Sequence, residues 1–176
     1  MKLSDKVALI TGGNGMIGQT SAEFFVREGC SVILSGRTAI ELTEIQDRLR
    51  KIGSGRVIIA VANVSQPASV EAMMQLAEKE FGRLDILVTA AGIYGEIAPI
   101  AECQPDRWLD AVTINLYGTM LAVKYAVPLL RTSSSPRIIS FAGGGEGPVP
   151  HFSSYVSSKG AVLRFVETVA EELRGA

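Results

Sequence analysis

Residues 6–27 read KVALITGGNGMIGQTSAEFFVR, and this stretch decides the fold. Lys6 to Thr11 is a short apolar run of the kind that forms a buried strand. Gly12-Gly13-Asn14-Gly15-Met16-Ile17-Gly18 follows as a tight turn, and Gln19 to Arg27 then places Ala22, Phe25 and Val26 at helical spacing. Strand, glycine turn and helix in that order suit a pyrophosphate. Glycines let the backbone come close to it, and a helix N-terminus offers unpaired N–H groups and a partial positive charge. The turn can be read as GxGxxG through Gly13, Gly15 and Gly18, or as TGxxGxxG starting at Thr11-Gly12. Alone, such a motif is weak; at the head of an alternating strand–helix chain it becomes informative.

Outward from that turn, the pattern predicts strands at 6–11, 31–35, 56–62, 84–89 and 137–142. Helices are predicted at 17–28, 38–52, 67–81, 105–131 and 153–174. This alternation implies an α/β fold, a doubly wound parallel sheet with helices on both faces. The expected strand order is 3-2-1-4-5, the Rossmann arrangement, with a ligand across the carboxyl ends where strands 1 and 4 reverse the winding. No internal repeat or low-complexity linker interrupts the chain, so residues 1–176 read as one domain. Ser133-Ser134-Ser135-Pro136 is a loop between helix and strand.

Composition narrows the function classes. The 176 residues are 47% hydrophobic and 20% charged, with a net charge of −1, ordinary for a soluble globular domain. That charge gives no basic footprint for nucleic acid. No apolar stretch approaches the roughly eighteen residues of a spanning helix, and Met1 leads into a strand without a signal-peptide core. Two cysteines, Cys30 and Cys103, lack ligand-like spacing and read as reduced thiols of a cytoplasmic protein. With one histidine, His151, neither a zinc cluster nor a histidine-based triad is expected, and no metal is predicted.

The chemistry is expected from Tyr155 and Lys159, spaced YxxxK just past the apolar run Arg137 to Phe141. Residues i and i+4 share a helix face, so the Lys159 ammonium can sit beside the Tyr155 phenol and favour its ionised form. A free phenol titrates near about 10, too high for acid–base work at neutral pH without such a charge.

In this combination the chain resembles the short-chain dehydrogenase/reductase family from about Leu3 to Arg174. Besides the turn and YxxxK, Asn115 in Asn115-Leu116-Tyr117-Gly118 matches the family's helix asparagine. Leu84 to Gly92, LDILVTAAG, is similar to its fourth strand and NNAG motif, and Ser153 to Lys159 to its active-site helix start. The resemblance implies that Tyr155 exchanges the hydroxyl proton. Lys159 would assist it and hold the nicotinamide ribose, and Asn115 would hold a water linking Lys159 to solvent. Cofactor contacts would come from Gly12 to Gly18, Asn63, Val64, Ala91, Gly92, Tyr155 and Lys159. It also implies that the helices starting near Pro105 and Ser153 pair with their copies in a homodimer or homotetramer.

The chain departs from the family pattern at several points. Thirteen residues before Tyr155, where the family has a substrate-binding serine, stands Ala142; the nearby hydroxyl is Ser140, roughly 6–7 Å away along the strand. The run Gly143-Gly144-Gly145 leaves the backbone there free to shift. Met16 occupies a position usually held by glycine, Thr89 and Ala90 replace both asparagines of NNAG, and Asn63 replaces an aspartate. Family members usually continue through two more strands and a substrate-covering loop, so the strand at 137–141 is expected to show an uncovered edge.

At the end of the second strand stand Gly36 and Arg37 rather than the acidic residue that binds a ribose 2′-hydroxyl. An arginine there can hold a 2′-phosphate, which favours NADP over NAD. Ala142 and His151 are placed at the substrate mouth. The function expected is hydride transfer between NAD(P)H and a small carbonyl or alcohol substrate. The alternative is a cofactor-binding protein of weak or no turnover with a regulatory or binding role.

Overall fold

The computed structural model describes residues 1–143 and 147–174, so Gly144 and Gly145 of the glycine run fall outside the described residues. Five strands, β1 (Val7–Thr11), β2 (Ser31–Gly36), β3 (Val57–Val61), β4 (Ile86–Thr89) and β5 (Arg137–Ser140), pair in parallel in the order β3-β2-β1-β4-β5. Helices α1 (Met16–Arg27), α2 (Ala39–Leu49), α3 (Pro67–Phe81), α4 (Pro105–Ala111), α5 (Gly118–Leu130) and α6 (Ser153–Glu172) connect and cover them. This is the doubly wound Rossmann fold that the strand–helix alternation predicts.

Strand side chains alternate between faces with period 2, and each face has its own core. Leu9, Ile33 and Leu87 pack with Met73 and Ala77 of α3 and with Leu121, Ala122 and Ala126 of α5. Ala8, Ile10, Val32, Leu34 and Val88 pack with Val26 of α1 and with Leu42 and Leu49 of α2. Because β1 and β2 are buried on both faces, their sequences are continuous apolar runs rather than alternating ones.

Two expectations need correction. The helix predicted over 105–131 is divided into α4, a π-helical segment Val112–Tyr117, and α5. The apolar period does run through all three, but Asn115, inside the π-segment, bonds to Ile93 in the loop after β4, and such segments are frequent at functional sites. A short 3₁₀ turn at Ile100–Glu102 also lies in what reads as loop. β5 pairs with β4 alone among the described residues, and Ile139 is 41% exposed.

The amino ends of the strands are tied together by Asp85, whose side chain is 2% exposed. It accepts from the Val7 N–H (2.9 Å), Lys6 Nζ (3.2 Å), Arg83 Nε (3.1 Å) and the Ser133 hydroxyl (2.6 Å). Burial alone would raise its pKa, but the bonds from Ser133, Val7 and Lys6 and the Arg83 charge outweigh it and hold the carboxyl below the usual range. The unfolded chain therefore binds this proton more readily. The carboxylate's contribution is complete above the ordinary carboxylate range and is lost as pH falls through the depressed native value. Asp85→Ala is expected to cost about 3 kcal/mol, since it strands buried donors, and to flatten the acid limb of stability. Urea unfolding at pH 7 and about pH 2.5 checks both; equal losses at the two pH values would contradict the charge argument.

Candidate functional site

The glycine turn sits where the sheet reverses its winding, between the carboxyl ends of β1 and β4. Gly12 adopts φ +65°, and a Cβ there would lie 2.6 Å from Ala91 N, so the two loops touch backbone to backbone. A Cβ on Gly18 would run into Gly12 O. These two positions need glycine more than Gly15, where a Cβ would meet only Gly12 O at 3.3 Å. Thr11 completes the junction: its hydroxyl accepts from the Ala91 N–H at 3.3 Å.

Helix α1 starts at Met16 with no side-chain cap, and the first bond into it runs from Gln19 N–H to Gly15 O. The N–H groups of Met16, Ile17 and Gly18 therefore stand free among the described residues, a set of donors suited to a phosphate. Met16 replaces the usual glycine by turning its side chain outward, where it is 82% exposed.

A cleft runs from this turn along the strand ends, lined by Gly12, Asn14, Gly36, Arg37, Asn63, Val64, Ala91 and Gly92. Of the residues expected to contact a cofactor, Gly12, Asn14, Gly15, Arg37, Asn63, Val64, Ala91 and Gly92 line this cleft, with Ile93 and Ile114 beside them, while Gly13, Met16, Ile17, Gly18, Tyr155 and Lys159 are not part of its lining. Asn63 Oδ1 already accepts from the N–H (3.1 Å) and hydroxyl (2.8 Å) of Ser65, so the amide has its NH₂ left to offer a base edge. At the other end Asn14 Nδ2 donates to Glu41 Oε2 at 2.6 Å, placing a carboxylate beside the rim that carries Arg37. The sequence reading did not foresee Glu41, although its place in the first turn of α2, four residues past Arg37, was available as a signal.

Asn115 is fully buried. Its Oδ1 accepts from the Ile93 N–H (2.8 Å), and its Nδ2 donates to Ile93 O (2.9 Å) and Ser158 Oγ (2.9 Å). The side chain therefore locks the loop after β4 to α6, and its polar groups are fully committed to that task.

Helix α6 carries Tyr155 and Lys159 toward the same place. A Cβ on Gly143 would lie 2.9 Å from the Tyr155 hydroxyl oxygen and 3.7 Å from Lys159 Cγ, so both side chains border that backbone. One on Gly92 would lie 3.6 Å from Lys159 Nζ, which brings the amine to the wall of the cleft. Lys159 is 7% exposed; burial pulls its pKa below the usual lysine range, and Nζ donates to Phe141 O at 2.9 Å.

Ala142 and His151 are the two positions expected at a substrate mouth. Ala142 is exposed beside Gly143. Ser140, two residues before Ala142 and roughly 6–7 Å away along an extended strand, does not stand in for a hydroxyl there; its Oγ accepts from Thr89 Oγ1 at 2.7 Å, a bond that ties β4 to β5. His151 is exposed, has φ +70°, and accepts the Ala98 N–H on its carbonyl at 3.1 Å. Among the described residues no cluster of metal-ligating side chains occurs, and no helix is long and apolar enough to cross a membrane.

The sequence profile described as short chain dehydrogenase matches residues 6–176. The chain belongs to the short-chain dehydrogenase family. An 11-beta-hydroxysteroid dehydrogenase A of Sesamum indicum is 30% identical over 171 residues, covering 97% of this chain and 49% of that relative. An uncharacterised oxidoreductase of Staphylococcus saprophyticus is 30% identical over 174 residues, 98% of this chain and 74% of its own length. The chain thus spans about half the first relative and about three quarters of the second.

Solved structures agree on the architecture. An NAD⁺-bound xylitol dehydrogenase superposes with a TM-score of 0.93 at 28% identity, over 99% of this chain and 67% of the other. A metagenomic short-chain oxidoreductase in complex with NADP gives 0.92 at 26% identity, over 99% and 79%. Both cofactors therefore occur among these structural neighbours.

Proposed function

We propose that this chain catalyses hydride exchange between NADP(H) and a carbonyl or alcohol substrate. The observation that carries the reading is the convergence of Tyr155 and Lys159 on Gly92 and Gly143, at one end of a cleft whose other end is the glycine turn. The fit to a dinucleotide rests on three features: the free N–H groups of the first turn of α1, the backbone approach at Gly12, and the open rim at Arg37. A nicotinamide bound in the cleft would supply or accept the hydride.

The chain's own part is positioning and proton transfer. In the reductive direction Tyr155 gives its hydroxyl proton to the carbonyl oxygen, and the Lys159 ammonium offsets the charge left on the phenolate. Phe141 O and the wall at Gly92 fix where that ammonium stands. Asn115 holds Ile93 and Ser158 so that the loop after β4 and α6 keep their spacing.

The preference for NADP is assigned to Arg37, whose guanidinium would hold a 2′-phosphate by charge-assisted bonds. Glu41 supports the opposite preference, because its carboxylate at the same rim repels that phosphate. Calorimetric titration decides the balance. Arg37→Ala is expected to weaken NADPH roughly ten- to a hundredfold and NADH little, and Glu41→Gln to strengthen NADPH severalfold. Failure of the folded chain to bind either nucleotide would remove the oxidoreductase reading for it.

We also assign a homodimer, from the apolar side chains left exposed on the α4 to α6 side, Leu109, Tyr117 and Leu163. Sedimentation in the titration buffer checks this, and a clean monomer contradicts it. A second reading, a cofactor-binding protein of slow turnover, is favoured by Ala142 at the position of the family's serine.

A further inference from the structure

Tyr94 follows the loop glycine Gly92 by two residues, and its ring lies 5.0 Å, centroid to centroid, from that of Tyr155, tilted by 55°. The ring of Phe152 meets it edge-on, at 5.9 Å and 84°. Both spacings are those of favourable aromatic pairs. Tyr94 is nevertheless 60% exposed, so a large part of the residue has no partner.

This exposure does not come from a loose loop. The fully buried Ser154 hydroxyl lies within hydrogen-bonding distance of Tyr94 O (3.2 Å) and Glu96 O (3.1 Å), and the Ala98 N–H donates to His151 O at 3.1 Å. Asn115 holds both backbone groups of Ile93 one residue earlier. The backbone on each side of Tyr94 is therefore pinned to α6 and to the loop before it. Ile97 and Val149, 53% and 39% exposed, stand on the two segments that the Ala98–His151 bond joins. The result is an aromatic ring held against that of Tyr155, with exposed apolar side chains on the two segments flanking it. An ordered ring costs little entropy to stack upon, because its own freedom is already spent.

We propose that Tyr94 is a specificity-determining residue that selects carbonyl compounds bearing a flat apolar ring next to the carbonyl, such as aryl ketones. This rests on the oxidoreductase reading above. With the carbonyl oxygen at Tyr155, a ring attached to the carbonyl carbon lies against the exposed part of Tyr94, whereas a flexible alkyl chain gains less there and loses more freedom on binding.

Acetophenone and 2-octanone, both eight-carbon methyl ketones, separate the two cases. In the wild type, kcat/KM with NADPH is expected to favour acetophenone by roughly tenfold. Tyr94→Ala should raise KM for acetophenone by about that factor with kcat little changed, and leave 2-octanone as it was; Tyr94→Phe should restore the preference. An equal rise in KM for both ketones would mark a loop-holding role and overturn the proposal, as would equal kcat/KM in the wild type. Ligand-observed NMR on the chain without cofactor separates this from the redox reading. Broadening of acetophenone over 2-octanone that Tyr94→Ala removes upholds the aromatic face even where no ketone is reduced. Turnover of both ketones at equal efficiency, with no such broadening, upholds the redox reading and overturns this one.

Discussion

Tyr155→Phe is expected to lower carbonyl reduction by about 10²- to 10⁴-fold, the usual worth of a positioned proton donor, while NADPH continues to bind. The substitution removes one oxygen and leaves the ring. The contacts with Tyr94 therefore persist, as do those of α6 through Ser154 and Ser158, and the cleft walls at Gly92 and Gly143 keep their shape. What is lost is the atom that borders Gly143 and the charge relation to Lys159. A single-turnover measurement with saturating NADPH reads the chemical step without interference from product release. If the rate fell less than tenfold, the proton would have to come from elsewhere, and the reading of Tyr155 as its donor would fail. Unchanged calorimetric affinity for NADPH in the same variant guards against attributing a folding defect to chemistry.

Ala142→Ser is the second large effect, and its sign is opposite. A hydroxyl there would be a further donor toward the carbonyl oxygen as charge develops on it, and one such donor is typically worth about 10²- to 10³-fold in rate. Ser140 does not already fill that role, because it stands two residues earlier at the end of β5, roughly 6–7 Å away along an extended strand. Ala142 is exposed, and Gly143, its neighbour, borders the Tyr155 hydroxyl, so a hydroxymethyl group meets no packed core. The expected result is a rise in kcat for acetophenone with little change in NADPH affinity. No rise would show that the substrate oxygen does not pass by residue 142. The slow-turnover reading would then rest on the whole mouth rather than on one missing donor.

The two variants also probe parts of the site that are fixed in different ways. Tyr155 and Lys159 sit on one rigid helix, so their relation is set by the helical repeat and by two neighbouring backbones. Residue 142 lies in the segment between β5 and α6, whose course depends on which hydroxyls and carbonyls tie it down. Thr89, Phe141 and His151 do so through bonds spanning 51, 18 and 53 positions of chain, respectively, to Ser140, Lys159 and Ala98. Interactions of that kind leave no periodic trace in the sequence.

Much of the fold was legible in the amino-acid sequence because it is written at short range. The apolar runs of β1 and β2, the glycines between β1 and α1, and the alternation of strand and helix periods are local patterns, and right-handed crossovers then leave few strand orders open. Tyr155 and Lys159 were legible for the same reason: a spacing of four on a helix is a statement about one face. What only the tertiary structure decided lies at long range. It turned Asn115 into the lock between Ile93 and Ser158 and opened a π-segment in what the period reads as one helix. It brought the Glu41 carboxylate to Asn14, and left Tyr94 held in place but uncovered beside Tyr155. Each depends on a backbone or side-chain group finding a partner across the sheet or between loops. Such partners are chosen by the packed geometry, since buried polar groups must be satisfied by whatever the fold places within about 3 Å, and the chain's local pattern does not encode that choice.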